Sequence, residues 1–261
     1  MMNAFSVPEG QEIAERFDFT PYQCVLDVAG GPGGIVVQIG LRYPHLRGII
    51  MDMAPVCEVA EEYIQASGLT GRFATAAADL FTGPYPQGAD VIVLGHILHN
   101  WSDDSCRKIL RNCFEALPTQ GVLLVSQKVL NNDFSGTRFA LMLDLTMLVA
   151  AESGARARSE AEYGSLLEEA GFRDWVAAGR GRVSRYGGRT NRSAARSDRC
   201  PKAMSRVGYT EARPTHPVEL TAHSARFLAV ACVFSCGPQL TGSVRRSARI
   251  QGRNRKSPLS E

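Results

Sequence analysis

The chain has 261 residues, 44% hydrophobic and 21% charged, and its formal charge of +3 sums two unlike parts. Residues 1–178 hold 12 basic and 22 acidic side chains, whereas residues 179–261 hold 17 basic and 4 acidic ones, so the two stretches are read separately. The apolar runs 140–151 and 227–234 fall short of the ~20 residues that cross a bilayer. The N-terminus lacks a signal peptide's basic start and apolar core, and the seven cysteines show no paired CxxC spacing. These features argue against a membrane span, a secreted disulfide framework and a zinc site, and the expectation is a cytoplasmic protein.

Residues 1–22 read as a short helical lead-in. A strand over 23–28 runs into a glycine cluster, and a helix over 35–43 is closed by Pro44. A second strand, 48–51, ends at Asp52. The helix over 56–66 carries Glu58, Glu61 and Glu62 on its wet side and is closed by Gly68. Strand 72–76 precedes Asp79, and strand 90–94 ends near His96 and His99. The next helix has Ser102 as N-cap, Asp103 and Asp104 in its first turn and Pro118 beyond its end. Its apolar residues Ile109, Leu110, Cys113, Phe114 and Leu117 share one face. A strand over 121–129 follows, then an apolar helix over 139–149. Ser159 to Glu162 form a capping box for a helix that stops at Gly171, and 174–178 reads as a sixth strand. The alternation predicts an α/β domain over 23–178, with a mostly parallel sheet and helices on both faces.

From residue 179 onward 15 arginines are spread without helix or strand period. The expectation is a disordered tail of no recognisable fold. Two other readings stand beside it: an arginine-rich segment neutralising nucleic-acid phosphates, and a tail that partly folds, with 227–234 as an added strand.

The chemistry centres on Val25-Leu26-Asp27-Val28-Ala29-Gly30-Gly31-Pro32-Gly33-Gly34. A glycine-rich turn between strand and helix lets backbone approach a ligand closely. The dinucleotide fingerprint fails here, because Val36 stands where the third glycine belongs. Asp27 beside the turn repels a pyrophosphate and attracts a cation, which suits the ammonium and sulfonium centres of S-adenosylmethionine. Asp52, at the end of the second strand, is placed for a ribose diol, and Asp79, after the third, for an adenine amine. Each acid alone also reads as an ordinary strand-end or helix-capping residue. Three together beside one glycine turn point to a ligand at the carboxyl ends of the strands.

Leu26-Asp27-Val28-Ala29-Gly30-Gly31-Pro32-Gly33, Asp52-Met53, Ala78-Asp79-Leu80-Phe81, Leu98-His99-Asn100-Trp101-Ser102-Asp103-Asp104 and Arg158-Ser159-Glu160-Ala161-Glu162-Tyr163 occur in this order. Together they resemble the small-molecule O-methyltransferases, the family of caffeate and acetylserotonin O-methyltransferases and bacterial natural-product enzymes. The resemblance spans roughly residues 10–178. It implies a class I, Rossmann-like methyltransferase fold with S-adenosylmethionine as cofactor and a hydroxylated, aromatic small molecule as acceptor. It places Asp27, Gly31 and Gly33 at the methionine end of the cofactor, Asp52 at the ribose, and Asp79 and Leu80 near the adenine with Trp101 packing close by, and it counts Met53 among the cofactor-binding residues. His99 matches the family's general base, and an imidazole titrating near neutrality suits that role. His96 is expected to line or pack the site, and Met142, Met147 and Leu148 to line an acceptor pocket or form core.

The sequence departs from the family pattern in places. Ala29 replaces the first glycine of the turn. Gln127 and Ala157 stand where caffeate-type enzymes set two acids against the histidine, leaving Asp103 or Asp144 to compensate. Only about 20 residues precede the first strand, where the family carries a dimerising helical domain, and no closing antiparallel strand is legible before residue 199. The alternative reading is therefore a truncated, non-catalytic remnant.

Overall fold

The computed structural model describes residues 3–177 and 228–230. Helix α1 (Asn3–Arg16) leads into β1 (Cys24–Val28), α2 (Gly34–Arg42), β2 (Arg47–Asp52), α3 (Ala54–Ala66), β3 (Phe73–Ala77) and β4 (Val91–Gly95). A single 3-10 turn, Leu98–Asn100, precedes α4 (Asp103–Ala116) and β5 (Val122–Ser126). Then come β6 (Val129–Leu130), α5 (Arg138–Ala150), β7 (Arg158–Ser159), α6 (Glu160–Ala170) and β8 (Leu228–Val230). The main sheet has the order β3-β2-β1-β4-β5-β8 and every pairing in it is parallel. Strand order reverses between β1 and β4, so a crevice opens beyond the carboxyl ends of these two neighbours, where ligands of open α/β sheets gather.

Strand periodicity builds two cores, one on each face of the sheet. Leu26 and Val28 of β1, Ile92 and Leu94 of β4, and Leu123 and Val125 of β5 face Ile109, Leu110 and Cys113 of α4 and Leu166 and Leu167 of α6. Val25, Val91, Val93, Val122 and Leu124 point the other way, onto Ile13 of α1, Val36, Val37 and Ile39 of α2 and Ile64 of α3. Both faces are apolar because helices cover both, which is why these strands read as continuous hydrophobic runs. Full burial of each such side chain contributes about 1.5–3 kcal/mol.

The helix ends follow their sequence signals. Ser102 caps α4 by accepting from the Ser105 N–H at 3.3 Å. Ser159 and Glu162 make both bonds of the capping box, and Gly171 ends α6 at φ 107°.

Three expectations change. The strand read over 121–129 is two strands in different sheets, because the chain leaves the main sheet at Gln127, whose buried side chain turns toward His99. No strand forms over 174–177. There Trp175 folds back onto α6, its Nε1 donating to Glu168 at 2.9 Å and its ring lying over Gly164, where a Cβ would fall 2.2 Å from the indole. The place beside β5 is taken instead by Leu228–Val230, inside the segment read as a possible added strand. The rest of 179–261, with the phosphate-binding reading of its arginines, lies outside the described residues. Finally, α5 is apolar without being core: Leu141, Met142, Leu145, Leu148 and Val149 are exposed.

Candidate active site

Asp27, Gly31, Gly33, Asp52, Asp79, His96, His99 and Gln127 all lie at or just beyond the carboxyl edge of the sheet. The turn after β1 uses left-handed backbone at Ala29, Gly31 and Gly33, with φ 53°, 58° and 86°. At Gly33 a side chain is excluded twice over, since a Cβ would also fall 2.2 Å from Ile50 Cδ1. At Gly31 the space beyond is open. Asp52 ties this turn to the start of α3: its Oδ2 accepts from the Gly31 N–H at 2.8 Å and its Oδ1 from the Met53 N–H at 2.7 Å. Each oxygen keeps a second lone pair for a ligand hydroxyl.

Asp27 is 1% exposed, and among the described residues neither of its oxygens has a partner within hydrogen-bond distance. Burial, reinforced by the Asp52 and Glu9 charges, pushes its carboxyl up to about 8. The Val36 backbone N–H opposes this rise as the smallest contribution, and a nearby cation would stabilise the charged form further.

The adenine-side candidates divide. Asp79 is exposed, and its Oδ1 accepts from the Phe81 and Thr82 N–H groups at 2.8 and 2.9 Å, holding the carboxyl below its usual range. That is a turn-forming role, and it leaves Oδ2 free. Leu80, Phe81 and Trp101 each pack against the same core cluster, and the Phe81 ring stands edge-on to Trp101 at 4.7 Å. Met53, 65% exposed, is the N-cap residue of α3.

His99 sits on the 3-10 turn and is 6% exposed. Arg158, with no exposed side-chain surface, clamps this turn from both sides of the histidine. Its Nη1 donates to the Leu98 carbonyl at 2.9 Å, its Nη2 to that of Trp101 at 2.8 Å, and both Nε and Nη2 reach Asp103. Burial holds the His99 imidazole down at about 4, with neighbouring His96 and Arg158 adding to the effect, so the ring is neutral at pH 7. Neither acid expected to compensate for Gln127 and Ala157 reaches it. Asp103 is taken by Arg158 and Arg156, and Asp144 accepts from the Ala157 N–H at 2.7 Å.

Glu9 is the residue that sequence reasoning missed. It is 2% exposed on α1, yet bonds His96 and the Ser126 hydroxyl, 87 and 117 residues away. Burial opposes its ionisation, but these partners keep it below the ordinary carboxylate range. The left-handed φ of 59° at His96 is the local mark of this cluster. Met147 is buried, whereas Met142 and Leu148 stand exposed on α5.

A family model described as an O-methyltransferase domain matches residues 1–173. The chain belongs to the O-methyltransferase family. Within it, a 3-hydroxy-5-methyl-1-naphthoate 3-O-methyltransferase of Streptomyces sahachiroi is 38% identical over 167 residues, 64% of this chain and 48% of the relative. The aclacinomycin 10-hydroxylase RdmB of Streptomyces purpurascens is 39% identical, over 61% of this chain and 42% of its own length. Human N-acetylserotonin methyltransferase, solved in complex with S-adenosylmethionine, superposes with a TM-score of 0.61 at 26% identity, covering 66% of this chain and 48% of that one. The chain thus spans about half the length of these relatives. The family's fold is the parallel sheet described above and its cofactor is S-adenosylmethionine.

Proposed function

We propose that the chain is the catalytic portion of a methyltransferase that moves the methyl group of S-adenosylmethionine to a hydroxyl oxygen of a small aromatic metabolite. The observation that carries this is the Asp27 carboxyl group, buried against Gly30 of the glycine turn with no partner within hydrogen-bond distance among the described residues. A sulfonium or ammonium centre is the missing partner that its chemistry calls for. Asp27, Gly31 and Gly33 would hold the methionine end, Asp52 and Met53 the ribose diol, and Leu80 and Trp101 the adenine face, with Asp79 Oδ2 toward its amine. When bound, the cofactor supplies the methyl carbon: the acceptor oxygen forms the O–C bond as the C–S pair returns to sulfur.

His99 is the residue proposed to meet the acceptor oxygen, as the family resemblance implies. His99→Ala is expected to slow methyl transfer by about 10²-fold or more while cofactor affinity, measured by calorimetry, stays within about threefold. Unchanged turnover would reject the assignment.

A second reading, a cofactor-binding fold that transfers no methyl group, is favoured by one observation: among the described residues no carboxylate contacts His99. The relative RdmB, a family member named as a hydroxylase, shows that ancestry alone does not fix the reaction. Cofactor binding without any acceptor being methylated would decide for this second reading.

A further inference from the structure

The Gln127 amide has one orientation that satisfies all its neighbours. Its carbonyl oxygen accepts from the Ile97 and Leu98 N–H groups at 2.8 and 3.0 Å, and its NH₂ then faces His99 Nδ1 at 2.7 Å. Turned over, the NH₂ would face two N–H donors, and Gln127 is fully buried, so no solvent is at hand to relieve the mismatch. An amide NH₂ only donates, so Nδ1 must accept. In a neutral imidazole the single proton then sits on Nε2, the nitrogen that makes no hydrogen bond among the described residues.

We propose that Gln127 locks His99 as the Nε2–H tautomer, so that His99 donates to the acceptor oxygen instead of removing its proton, and that the site therefore takes acceptors already ionised as oxyanions. This rests on the methyltransferase reading above and narrows it to a substrate class: aromatic hydroxyls acidified by conjugation with a carbonyl, nitro or quinone group. An acceptor that arrives as the anion has no proton to lose, so methyl transfer balances without a base. Its negative charge meets the Nε2–H donor, and Gln127 acts as a positioning residue through the ring. The ionisable groups around the imidazole are His96, with ring centroids 5.9 Å apart, Arg158 and Glu9. None of them bonds a ring nitrogen of His99.

The substitution that reverses the lock is Gln127→Glu. One carboxylate oxygen can keep both backbone N–H bonds while the other accepts from Nδ1–H, which leaves Nε2 as a lone pair. Long-range ¹⁵N–¹H correlation spectra of histidine-labelled full-length protein report the tautomer without any turnover. The wild type is expected to carry its proton on Nε2 at pH 7 and the variant on Nδ1; a wild-type proton on Nδ1, or a doubly protonated ring, overturns the proposal.

The kinetic arm compares 4-nitrophenol, largely ionised at pH 8, with 2-naphthol, largely neutral there. The wild type is expected to favour 4-nitrophenol by about 10²-fold or more, the share a positioned base ordinarily contributes, with 2-naphthol turnover rising tenfold per pH unit below its own ionisation. Gln127→Glu is expected to narrow the gap and flatten that rise. Equal or inverted preference in the wild type overturns the proposal. Failure of S-adenosylmethionine to bind removes the methyltransferase reading instead, and is distinguishable because the tautomer spectra do not depend on it.

Discussion

The Asp27 carboxylate lies directly against Gly30: a Cβ on that glycine would fall 2.5 Å from Asp27 Cγ and 2.6 Å from its Oδ2. The turn therefore closes over a buried acid whose oxygens find no partner within hydrogen-bond distance among the described residues. Its carboxyl rises from the ordinary 3.8 to about 8, so between these values the folded state holds a proton that the unfolded chain has released. The sign follows: stability without cofactor falls as pH rises through this window, by up to about 1.4 kcal/mol per pH unit. Denaturant titrations across the window are expected to show this decline, and Asp27→Asn to remove it. The same coupling makes cofactor binding expel a proton, seen as a buffer-dependent binding heat near neutral pH.

Arg158 holds the turn that carries His99, and its charge has no access to solvent. Replacing it by methionine leaves the Leu98 and Trp101 carbonyls without their donor, while Asp103, itself partly exposed, keeps Arg156. Leaving a buried acceptor unsatisfied costs about 1–3 kcal/mol. Thermal unfolding of Arg158→Met is expected to show a loss of that size, and a loss below about 1 kcal/mol would show that the clamp is not structural.

Gly33→Ala sets a Cβ into Ile50 in a left-handed conformation. A loss of about 2 kcal/mol or more is expected in urea denaturation, from strain of order 1–3 kcal/mol together with the clash. Gly31→Ala meets open space and is expected to cost less stability, with its effect falling on cofactor affinity instead.

The mostly parallel sheet and a ligand site at the carboxyl ends of its strands were legible because β1, β4 and β5 are apolar on both faces and each runs to a marked end. The glycine turn and Asp52 could be read from residue type and spacing alone. Asp79 could be located, but not its role in the local turn, since an acid two residues past a strand fits either. Glu9 was invisible because α1 gives it meaning only by folding over the ends of β4 and β5, and no local pattern encodes a contact 117 residues long. The α5 helix was misread for the opposite reason: its composition is that of a buried helix, yet Leu145 and Val149 stand in the open. Trp175 misled in the same way, strand-like in its neighbourhood but held by Gly164 and Glu168 of α6.

The account rests on Asp27 and Asp52 forming a cofactor site, and calorimetric titration of the full-length chain with S-adenosylmethionine tests it most directly. Saturable one-to-one binding is expected, weakened about 10²-fold by Asp52→Ala, which removes two charge-assisted bonds that shape the turn along with the ribose acceptor. A folded wild-type chain that gives no binding heat at millimolar cofactor, and no thermal stabilisation by it, would contradict the account.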